Sequence, residues 1–430
     1  MRILVLGGYG LIGSAIMRQL LADGHEVTGL GRDVRRARRL IPQARWTEAD
    51  MRRLSSMADW APILAGIDAV VNAAGALQTG GRDNVTAVQE TAILALIAAC
   101  EAAGIRRFVQ ISAPMARPDA GTDFMASKGK ADAALAASAL EWTILRPGLV
   151  LAQSAYGGTA LIRMLAAQPV GGLIAFGETP VQTVDVDDVA EAVSLALASG
   201  DLAGVTADLV EDNSHSLQDI VVATRRWLGF PDFRLLLPVP RPLVALLTTL
   251  ADLAGWLGWR SPLRSNAVNV LADGIPGDAA QTRAALGRPA HSLAETFARR
   301  PSTLQDRWHA RLSLLFPVLI TLLIAFWAAS ALIALPSFDQ ALAVLSALPE
   351  PVRPALVIAG IAADLAIAAG LAWRLTTRLA ILGGIGLTLA YLAAASFVAP
   401  SLWLDPLGPL VKSAALIGLH LAVLPLLEER

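Results

Sequence analysis

Four long apolar stretches after Pro301 constrain this chain more than any other feature of its sequence. They cover residues 312–335, 355–373, 379–399 and 407–427. Each approaches the roughly 20 residues that an α-helix needs to cross the hydrocarbon core of a bilayer. A soluble helical bundle requires polar faces at helical spacing, and the first three stretches have almost none. The sequence therefore predicts an all-α, four-helix transmembrane domain over residues 307–430.

Arginines between these stretches predict how the domain is oriented. One side carries four of them: Arg307, Arg311, Arg374 and Arg378. The loops on the other side carry one arginine against three acidic residues: Arg353, Asp339, Glu350 and Asp405. Because positively charged loops stay on the cytoplasmic side of a membrane, both termini are expected to face the cytoplasm. The predicted location is the inner (cytoplasmic) membrane, with multiple spans.

Short apolar runs alternate with amphipathic stretches over the first 200 residues or so. The runs predicted to be strands are Arg2–Gly7, Glu26–Leu30, Ala69–Ala73, Phe108–Ser112 and Thr143–Leu145. The stretches between them that predict helices are Ser14–Asp23, Ala87–Ala103 and Lys128–Ser138. This alternation is typical of an α/β fold with a Rossmann-type, doubly wound parallel sheet. We expect one such domain over residues 1–300, with a substrate-side region from about residue 150.

The segment Leu243–Trp259 allows two interpretations. It is almost uncharged apart from Asp252 and ends in Trp256, Trp259 and Arg260. An aromatic and basic edge of this kind suits the interface of a bilayer. The segment is equally consistent with a buried helix of the soluble domain.

A glycine-rich turn follows the first predicted strand. Its glycines, Gly7, Gly10 and Gly13, recur at every third position directly before a helix. Gly7 allows a tight turn, Gly10 allows a pyrophosphate to approach the backbone, and Gly13 allows the helix to pack closely on the strand. The helix N-terminus adds unpaired N–H groups and a positive dipole. A dinucleotide site is predicted here, with these contacting residues: Gly7, Tyr9, Gly10, Leu11, Ile12 and Gly13.

The end of the second predicted strand indicates which dinucleotide is bound. A carboxylate at this point pairs with the ribose hydroxyls of NAD, but the sequence has Arg32 there. A guanidinium donates two parallel hydrogen bonds to phosphate oxygens and therefore suits the 2′-phosphate of NADP. NADP is the predicted cofactor, and NAD is the alternative.

Further motifs in the first 280 residues or so resemble those of the extended and atypical short-chain dehydrogenases/reductases. They are Gly7–Gly13, Asn72–Gly75, Phe108–Ser112, Arg146–Gly148 and Val184–Ala190. Within that family they are most similar to NAD(P)-binding proteins related to sugar-nucleotide epimerases and dehydratases and to a complex I accessory subunit. The resemblance implies that Asp50 contacts the adenine and that the cofactor also lies against Ala73, Ala74, Gly75 and Pro147. It also implies that Val184–Ala190 forms a wall near the substrate pocket.

The family reduces carbonyls with a Tyr-x-x-x-Lys pair and a serine. The resemblance assigns Lys128 to the ribose of the cofactor and Ser112 to the substrate carbonyl, and both are candidate catalytic residues. The tyrosine position holds Phe124, which has no proton to donate. Tyr156 is a second source of a phenol, or an aromatic wall of the substrate pocket.

The last 120 residues or so resemble the DoxX-like family of small four-helix membrane proteins. The resemblance is carried by Asp364 in the second stretch and by the segment 405–412 that leads into the fourth. Charged groups inside a bilayer are costly unless paired, so we expect Asp364 to pair with Lys412. Lys412 is also close enough to its helix end to extend to the interface. The pair is a candidate quinone or proton site, or a purely structural contact, and His420 also requires a partner.

Two functions are consistent with these features. The first is a membrane-bound NADP(H)-dependent oxidoreductase acting on a lipophilic substrate such as a quinone or a lipid-linked carbonyl. The second is a non-catalytic NADP(H)-binding sensor or assembly module that joins a membrane-protein complex. A formal net charge of −1 gives no field that attracts nucleic acid, and no metal site is predicted. The single cysteine, Cys100, is expected to be a buried and unreactive thiol.

Overall fold

The computed structural model describes residues 1–75, 84–169, 171–261, 263–406 and 408–427. Leu407, where the fourth apolar stretch is predicted to begin, and Arg430, the predicted end of the membrane domain, lie outside these ranges. The chain forms two compact units. One comprises Met1–Asp252 with Ser261–Arg307, and the other comprises Leu253–Arg260 with Trp308–Arg430.

The first unit contains a seven-stranded sheet in which all the strand pairs are parallel. In chain order the strands of the unit are β1 (Arg2–Leu6), β2 (Glu26–Gly31), β3 (Arg45–Glu48), β4 (Ala69–Asn72), β5 (Arg107–Ile111), β6 (Glu141–Pro147), β7 (Leu149–Leu151), β8 (Gly172–Ile174), β9 (Pro180–Val181), β10 (Thr183–Asp185), β11 (Val205–Leu209), β12 (His215–Ser216) and β13 (Leu236–Pro238). The order across the large sheet is β11-β6-β5-β4-β1-β2-β3, and the other six strands form short two-stranded pairs. The predicted fold class is confirmed.

Helices lie on both faces of this sheet. In chain order the helices before the membrane domain are α1 (Leu11–Ala22), α2 (Val34–Leu40), α3 (Met57–Leu64), α4 (Ala92–Ala102), α5 (Asp123–Ala136), α6 (Gly158–Ala166), α7 (Val186–Ala198), α8 (Leu217–Trp227), α9 (Arg241–Trp256), α10 (Ser265–Asp273), α11 (Ala279–Leu286) and α12 (Leu293–Arg299). Among them, α1 and α7 lie on one face and α4 and α5 on the other. Alternate residues of β1 enter two separate hydrophobic cores: Ile3 and Val5 pack with α1, whereas Leu4 and Leu6 pack with α4. Burial on both faces explains why the central strands are nearly continuous apolar runs.

The strand order reverses at β1. The chain passes from β1 to β2 and β3 on one side and then to β4, β5 and β6 on the other. In open α/β sheets, ligands bind outside the carboxyl ends of the strands at such a reversal. The loop from Gly7 to Gly10 leaves β1 at this end.

The helices of the C-terminal part are α13 (Leu304–Ala334), α14 (Phe338–Val344), α15 (Arg353–Ala372), α16 (Thr377–Val398) and α17 (Pro409–Val423). Among the described residues, four helical segments are long and apolar enough to cross a membrane: Leu304–Ala334, Glu350–Ala372, Thr377–Val398 and Pro409–Leu427. Large apolar side chains such as Leu379, Phe397 and Leu389 are exposed on them. An exposed apolar surface of this kind is stable against lipid and not against water, so this part of the chain is a membrane domain.

Candidate functional site

The glycine loop between β1 and α1 adopts a backbone that other residues do not fit. Gly7 has a φ of +68°, and a Cβ atom there would lie 2.8 Å from the backbone oxygen of Ala73. The N–H of Gly10 donates to the Gly7 carbonyl at 2.8 Å, which closes the turn. A Cβ atom on Gly13 would lie 2.2 Å from the Gly7 oxygen. The loop is therefore packed so closely on α1 that its backbone is held in a single conformation.

The N-terminus of α1 faces the space left by this turn. Gly10 is the N-cap residue, and no side chain caps the helix there. The first N–H groups of an α-helix, here those of Leu11, Ile12 and Gly13, have no partner within the helix. Because Gly10 also lacks a Cβ atom and is exposed, a pyrophosphate has both donors and room to approach them. The residues present fit the phosphates of a dinucleotide.

Tyr9 lies against the end of β2. A Cβ atom on Gly31 would be 2.1 Å from Cε1 of the Tyr9 ring, so the ring packs directly on that glycine. The backbone N–H of Arg32 donates to the Tyr9 hydroxyl at 3.3 Å. The side chain of Arg32 is exposed at the start of α2, one turn before the exposed Arg35. Tyr9 thus positions the backbone that carries Arg32.

Asp50, to which the resemblance assigns an adenine contact, is held by a neighbour. Its carboxylate accepts hydrogen bonds from the backbone N–H of Arg52 at 3.1 Å and from the Arg52 guanidinium at 2.5 Å. The hydrogen bond from the Arg52 side chain lowers the pKa of Asp50. The carboxylate is thus ionised and oriented by Arg52.

The segment after β4 lies beside the glycine loop. The Asn72 side chain donates to Gln110 Oε1 at 2.8 Å, and its oxygen accepts from the Ala74 N–H at 3.1 Å. Ala73 and Ala74 are half-buried, and Gly75 is exposed. Because Ala73 also meets Gly7, two of the predicted cofactor-binding segments meet at the carboxyl ends of β1 and β4. Pro147 is buried at the end of β6, on the far side of β5 from these segments.

Ser112 and Lys128, the candidate catalytic residues, are both turned towards the protein interior. The Ser112 hydroxyl donates to Asp132 Oδ2 at 2.6 Å. The Lys128 ammonium donates to the Ile111 carbonyl at 2.8 Å and lies 5.8 Å from the centre of the Phe124 ring. The hydroxyl proton of Ser112 is therefore already used in a hydrogen bond to the Asp132 carboxylate.

Asp132 is the residue of this cluster that the sequence analysis missed. It is 4% exposed and forms an ion pair with Arg146 at 3.2 Å as well as the hydrogen bond from Ser112. Burial raises the pKa of Asp132 against the opposing effects of these donors and of Lys128. One signal was available, because Asp132 follows Lys128 by four residues and so shares its face of α5.

Lys128 is expected to make the stability of the protein depend on pH in the alkaline range. Burial lowers the pKa of Lys128 from 10.5 to about 8. The folded state therefore disfavours the charged ammonium. This lowers the free energy of unfolding by its full amount below about pH 8, and by nothing above the pKa of Lys128 in the unfolded chain. As the pH rises between these limits, we expect the free energy of unfolding of the wild type to increase by about 3 kcal/mol relative to that of Lys128→Met.

Thermal unfolding of the full-length protein in detergent, followed at several pH values, measures this gain. Lys130 lies on the same helix with its side chain 48% exposed, so Lys130→Met is the matched control and should show no such gain. A constant difference between wild type and Lys128→Met across the alkaline range would contradict the prediction.

Tyr156 and the acidic residues of the predicted wall element make other contacts. Tyr156 is 52% exposed, so its ring is largely in solvent. In the wall element, Asp185 and Asp188 are fully buried and pair with basic residues on the segment 288–300: Arg300 with Asp185, and Arg288 and His291 with Asp188. The two arginine ion pairs and the hydrogen bond between His291 and Asp188 hold α7 to the region of α12.

In the membrane unit, the predicted pair of Asp364 and Lys412 is wrong. Asp364 Oδ2 accepts from the Ser330 hydroxyl at 2.6 Å, and Oδ1 accepts from the Tyr391 hydroxyl at 2.8 Å. Lys412 is exposed on α17. The prediction failed because it matched charges along the sequence, whereas hydroxyl groups of the neighbouring spans α13 and α16 reach the carboxylate in the bundle.

His420 is fully buried between spans. Its Nε2 accepts from the Trp327 indole N–H at 3.1 Å, and its Nδ1 lies 2.8 Å from the Leu416 carbonyl. These partners assign the proton to Nδ1, because a carbonyl oxygen only accepts. Both ring nitrogens of the neutral imidazole are therefore satisfied, which indicates a structural role.

Two family models match the chain. One, described as NAD(P)H-binding, matches residues 7–199, and one for the DoxX-like family matches residues 324–421. Photosystem II assembly factor Ycf39 of Synechocystis is 30% identical over 236 residues, which are 53% of this chain and 68% of the relative. UDP-glucose 4-epimerase of Klebsiella pneumoniae is 34% identical over 123 residues, which are 25% of this chain and 86% of the relative.

Solved structures share the fold. UDP-glucuronic acid 4-epimerase from Bacillus cereus, in complex with UDP-glucuronic acid and NAD, has a TM-score of 0.52 at 16% identity. The match covers 70% of this chain and 98% of that one. The Bordetella bronchiseptica enzyme WbmG, in complex with NAD, has a TM-score of 0.53 at 18% identity, covering 73% of this chain and 96% of that one. Together with the two relatives of 30% identity or more and the family models, this shows that the chain belongs to the NAD(P)-binding short-chain dehydrogenases/reductases, in their epimerase/dehydratase-like branch, and carries a DoxX-like domain in its C-terminal part.

Proposed function

We propose that the protein is an NADP(H)-dependent oxidoreductase of the inner membrane, and that its lipophilic substrate is a quinone rather than a lipid-linked carbonyl. The observation that carries this choice is the hydrogen bond from Ser112 to Asp132, in a chain that has Phe124 at the tyrosine position. The glycine loop supports dinucleotide binding, while the side chains that donate a proton to a carbonyl are missing or already paired. We take residues 1–300 as the nucleotide domain and 307–430 as the membrane domain.

The choice of substrate follows from where the second hydrogen originates. Bound NADPH supplies a hydride, which with one proton from water converts a quinone to a hydroquinone as the nicotinamide is oxidised. In carbonyl reduction the new alkoxide needs a positioned acid, and Phe124 cannot act as one. Ser112 cannot direct its proton to a substrate while it donates to Asp132. Lys128 donates to the Ile111 carbonyl but has two further N–H groups, and these are proposed to orient the nicotinamide ribose, as the family resemblance implies.

NADPH oxidation by the full-length protein in nanodiscs, with a short-chain quinone as acceptor, tests this proposal. We expect one hydroquinone for each NADPH oxidised, and no turnover with a long-chain aldehyde. Gly200→Ala, at an exposed position with open space around it, should leave the rate unchanged. Protein that binds NADPH but reduces neither substrate would remove the enzyme proposal, and reduction of the aldehyde alone would reverse the choice of substrate.

Arg32 is proposed to select NADP over NAD. Arg32→Ala is expected to lower the affinity for NADPH by about 10- to 100-fold, because hydrogen bonds to a phosphate dianion are lost. The affinity for NADH should change little. Titration of full-length protein with both nucleotides measures this, and Arg38→Ala, at an exposed position of the following helix α2, is the control. An equal loss for the two nucleotides would contradict the assignment.

A second candidate function is a non-catalytic sensor or assembly module that holds NADP(H) as a structural ligand. Phe124 and the paired Ser112 favour it, and one relative is named as an assembly factor. Phe124→Tyr and Lys128→Ala distinguish the two functions. A nucleotide that stays bound in both variants, with no turnover in the wild type or in the first variant, would favour the module.

We also propose that both termini face the cytoplasm. Arg374 and Arg378 between α15 and α16, and Arg307 and Arg311 at the start of α13, support this orientation. A fluorescent protein fused to the C-terminus should then be fluorescent in intact cells, whereas alkaline phosphatase fused at the same point should be inactive. The opposite pair of results would contradict the orientation.

A further inference from the structure

Helix α9 exposes one continuous apolar face. Its members recur at helical spacing and are Leu243, Leu246, Leu247, Leu250, Leu253 and Trp256, together with Leu257 directly after the helix, here called the α9 leucine face. The leucines are 41% to 58% exposed, and Trp256 is 80% exposed. The small residues Ala251 and Gly255 are buried on the opposite side. The helix thus packs on the protein through small side chains and presents its large ones outward, so the interpretation of this segment as a buried helix is wrong.

The exposed apolar surface begins before the helix. Strands β8 and β13 pair in a register that sets Leu173 beside Leu237, and these side chains are 49% and 46% exposed. Leu235, at the start of the same ribbon, is also exposed. Exposed apolar surface that continues from one element into the next marks an interaction site with a partner or a membrane.

Charged groups lie at the ends of α9 and away from its leucine face. Asp252 is the single charged residue between Arg241 and Arg260, and its carboxylate pairs with Arg264 at 3.1 Å. Arg234, Arg241 and Arg260 are exposed before and after the apolar face. Apolar residues on one face with arginines at the ends are typical of a helix that lies in the plane of a membrane interface.

The C-terminal end of α9 belongs to the membrane unit. Leu253–Arg260 groups with the spans, and the Trp259 indole N–H donates to the Ala372 carbonyl at the end of α15 at 2.7 Å. The Trp259 ring also packs against Phe316 of α13, with centroids 5.8 Å apart. The Leu257 carbonyl accepts from the N–H of Arg374, just beyond α15. A tryptophan and an arginine at the end of a span mark the boundary between hydrocarbon and headgroups.

We propose that α9 is a membrane-surface helix whose leucine face lies in the same bilayer that the four spans cross. Lipid is the partner that covers the leucine face, because the helix continues into Leu253–Arg260, which packs at the ends of the spans. The arginines beside it fit the phosphates of lipid headgroups. The inference depends on the spans and not on the proposed nucleotide chemistry.

Spin labels on the full-length protein in nanodiscs of phosphatidylethanolamine and phosphatidylglycerol test this inference. Single cysteines are introduced by Leu246→Cys, Leu250→Cys and Leu253→Cys. The native Cys100 is buried, and burial raises the pKa of its thiol to about 12, so it should not react with the label. Met57→Cys on α3 is the aqueous control, and Leu389→Cys on the span α16 is the lipid control.

Accessibility to oxygen, which partitions into lipid, is compared with accessibility to a water-soluble nickel complex. We expect all three α9 labels to favour oxygen, at depths of about 5–10 Å below the headgroups, between the two controls. Labels on α9 that favour nickel as strongly as the Met57 position would overturn the proposal. Labels shielded from both reagents, with dipolar broadening from a second label, would also overturn it by showing that a second copy covers the face.

Discussion

Replacing Gly13 with alanine is expected to lower the affinity of the full-length protein for NADPH by about 100-fold, because a shift of about 1 Å in a binding site has effects of this size. The new methyl group would lie 2.2 Å from the Gly7 oxygen and 3.0 Å from the Gly8 Cα atom. Both are backbone atoms, so no side-chain rotation relieves the clash. The loop must instead move away from α1, and the N–H groups at the helix N-terminus then no longer face the phosphates together.

Two further glycine variants separate this effect from a general loss of folding. Gly10→Ala adds a methyl group that meets only the Gly7 oxygen, at 3.1 Å, and so should weaken NADPH binding while the loop keeps its shape. Gly200→Ala adds one in open space and should alter neither binding nor stability. Nucleotide titration and thermal unfolding are measured on all three. Wild-type affinity in a folded Gly13→Ala protein would show that the glycine loop does not hold the nucleotide.

Replacing Asp364 with alanine is expected to destabilise the membrane unit by about 2–4 kcal/mol, because two hydrogen bonds between spans are lost together with the buried acceptor that they share. Ser330 and Tyr391 both donate to this carboxylate from neighbouring spans, so its loss affects the packing of three helices. Asp364→Asn should recover part of this loss, since the amide keeps one oxygen acceptor and nearly the same shape. Unfolding of full-length protein by added SDS measures these differences.

Lys412→Met distinguishes this network from an ion pair. Lys412 is exposed on α17, and substitutions at exposed positions away from special contacts usually change stability by less than about 0.5 kcal/mol. If Lys412→Met and Asp364→Ala were equally destabilising, the lysine would be the partner of the carboxylate and the network of hydroxyl groups would be incorrect.

Strong local patterns made much of the fold predictable. The central strands β1, β2, β4, β5 and β6 are buried on both faces, and each contains an apolar run that the sequence analysis identified. Edge strands lack this signal. In β3, Trp46 is the one buried residue of four, and the sequence analysis did not predict that strand. The spans were predicted because lipid imposes a length and an apolar composition that are visible in any stretch of sequence.

The cofactor loop was equally visible because its glycines act through backbone shape within seven residues. Cofactor specificity and the roles of the site residues stay predictions that the proposed titrations test. The cluster behind Ser112 was not predictable in the same way, since its partner Asp132 lies 20 residues away and resembles any polar residue of an amphipathic helix.

By itself, the sequence determined a parallel α/β sheet with a glycine loop at the end of β1, followed by four membrane-spanning helices, because each depends on a local pattern of apolar residues or glycines. Only the tertiary structure decided that Ser112 donates to Asp132, that Ser330 and Tyr391 replace Lys412 at Asp364, and that the leucines of α9 point outward. The same physical reason applies to all three of these features. Hydrogen bonds and burial depend on which side chains folding brings within a few ångströms, and charge or composition along the chain does not specify that distance.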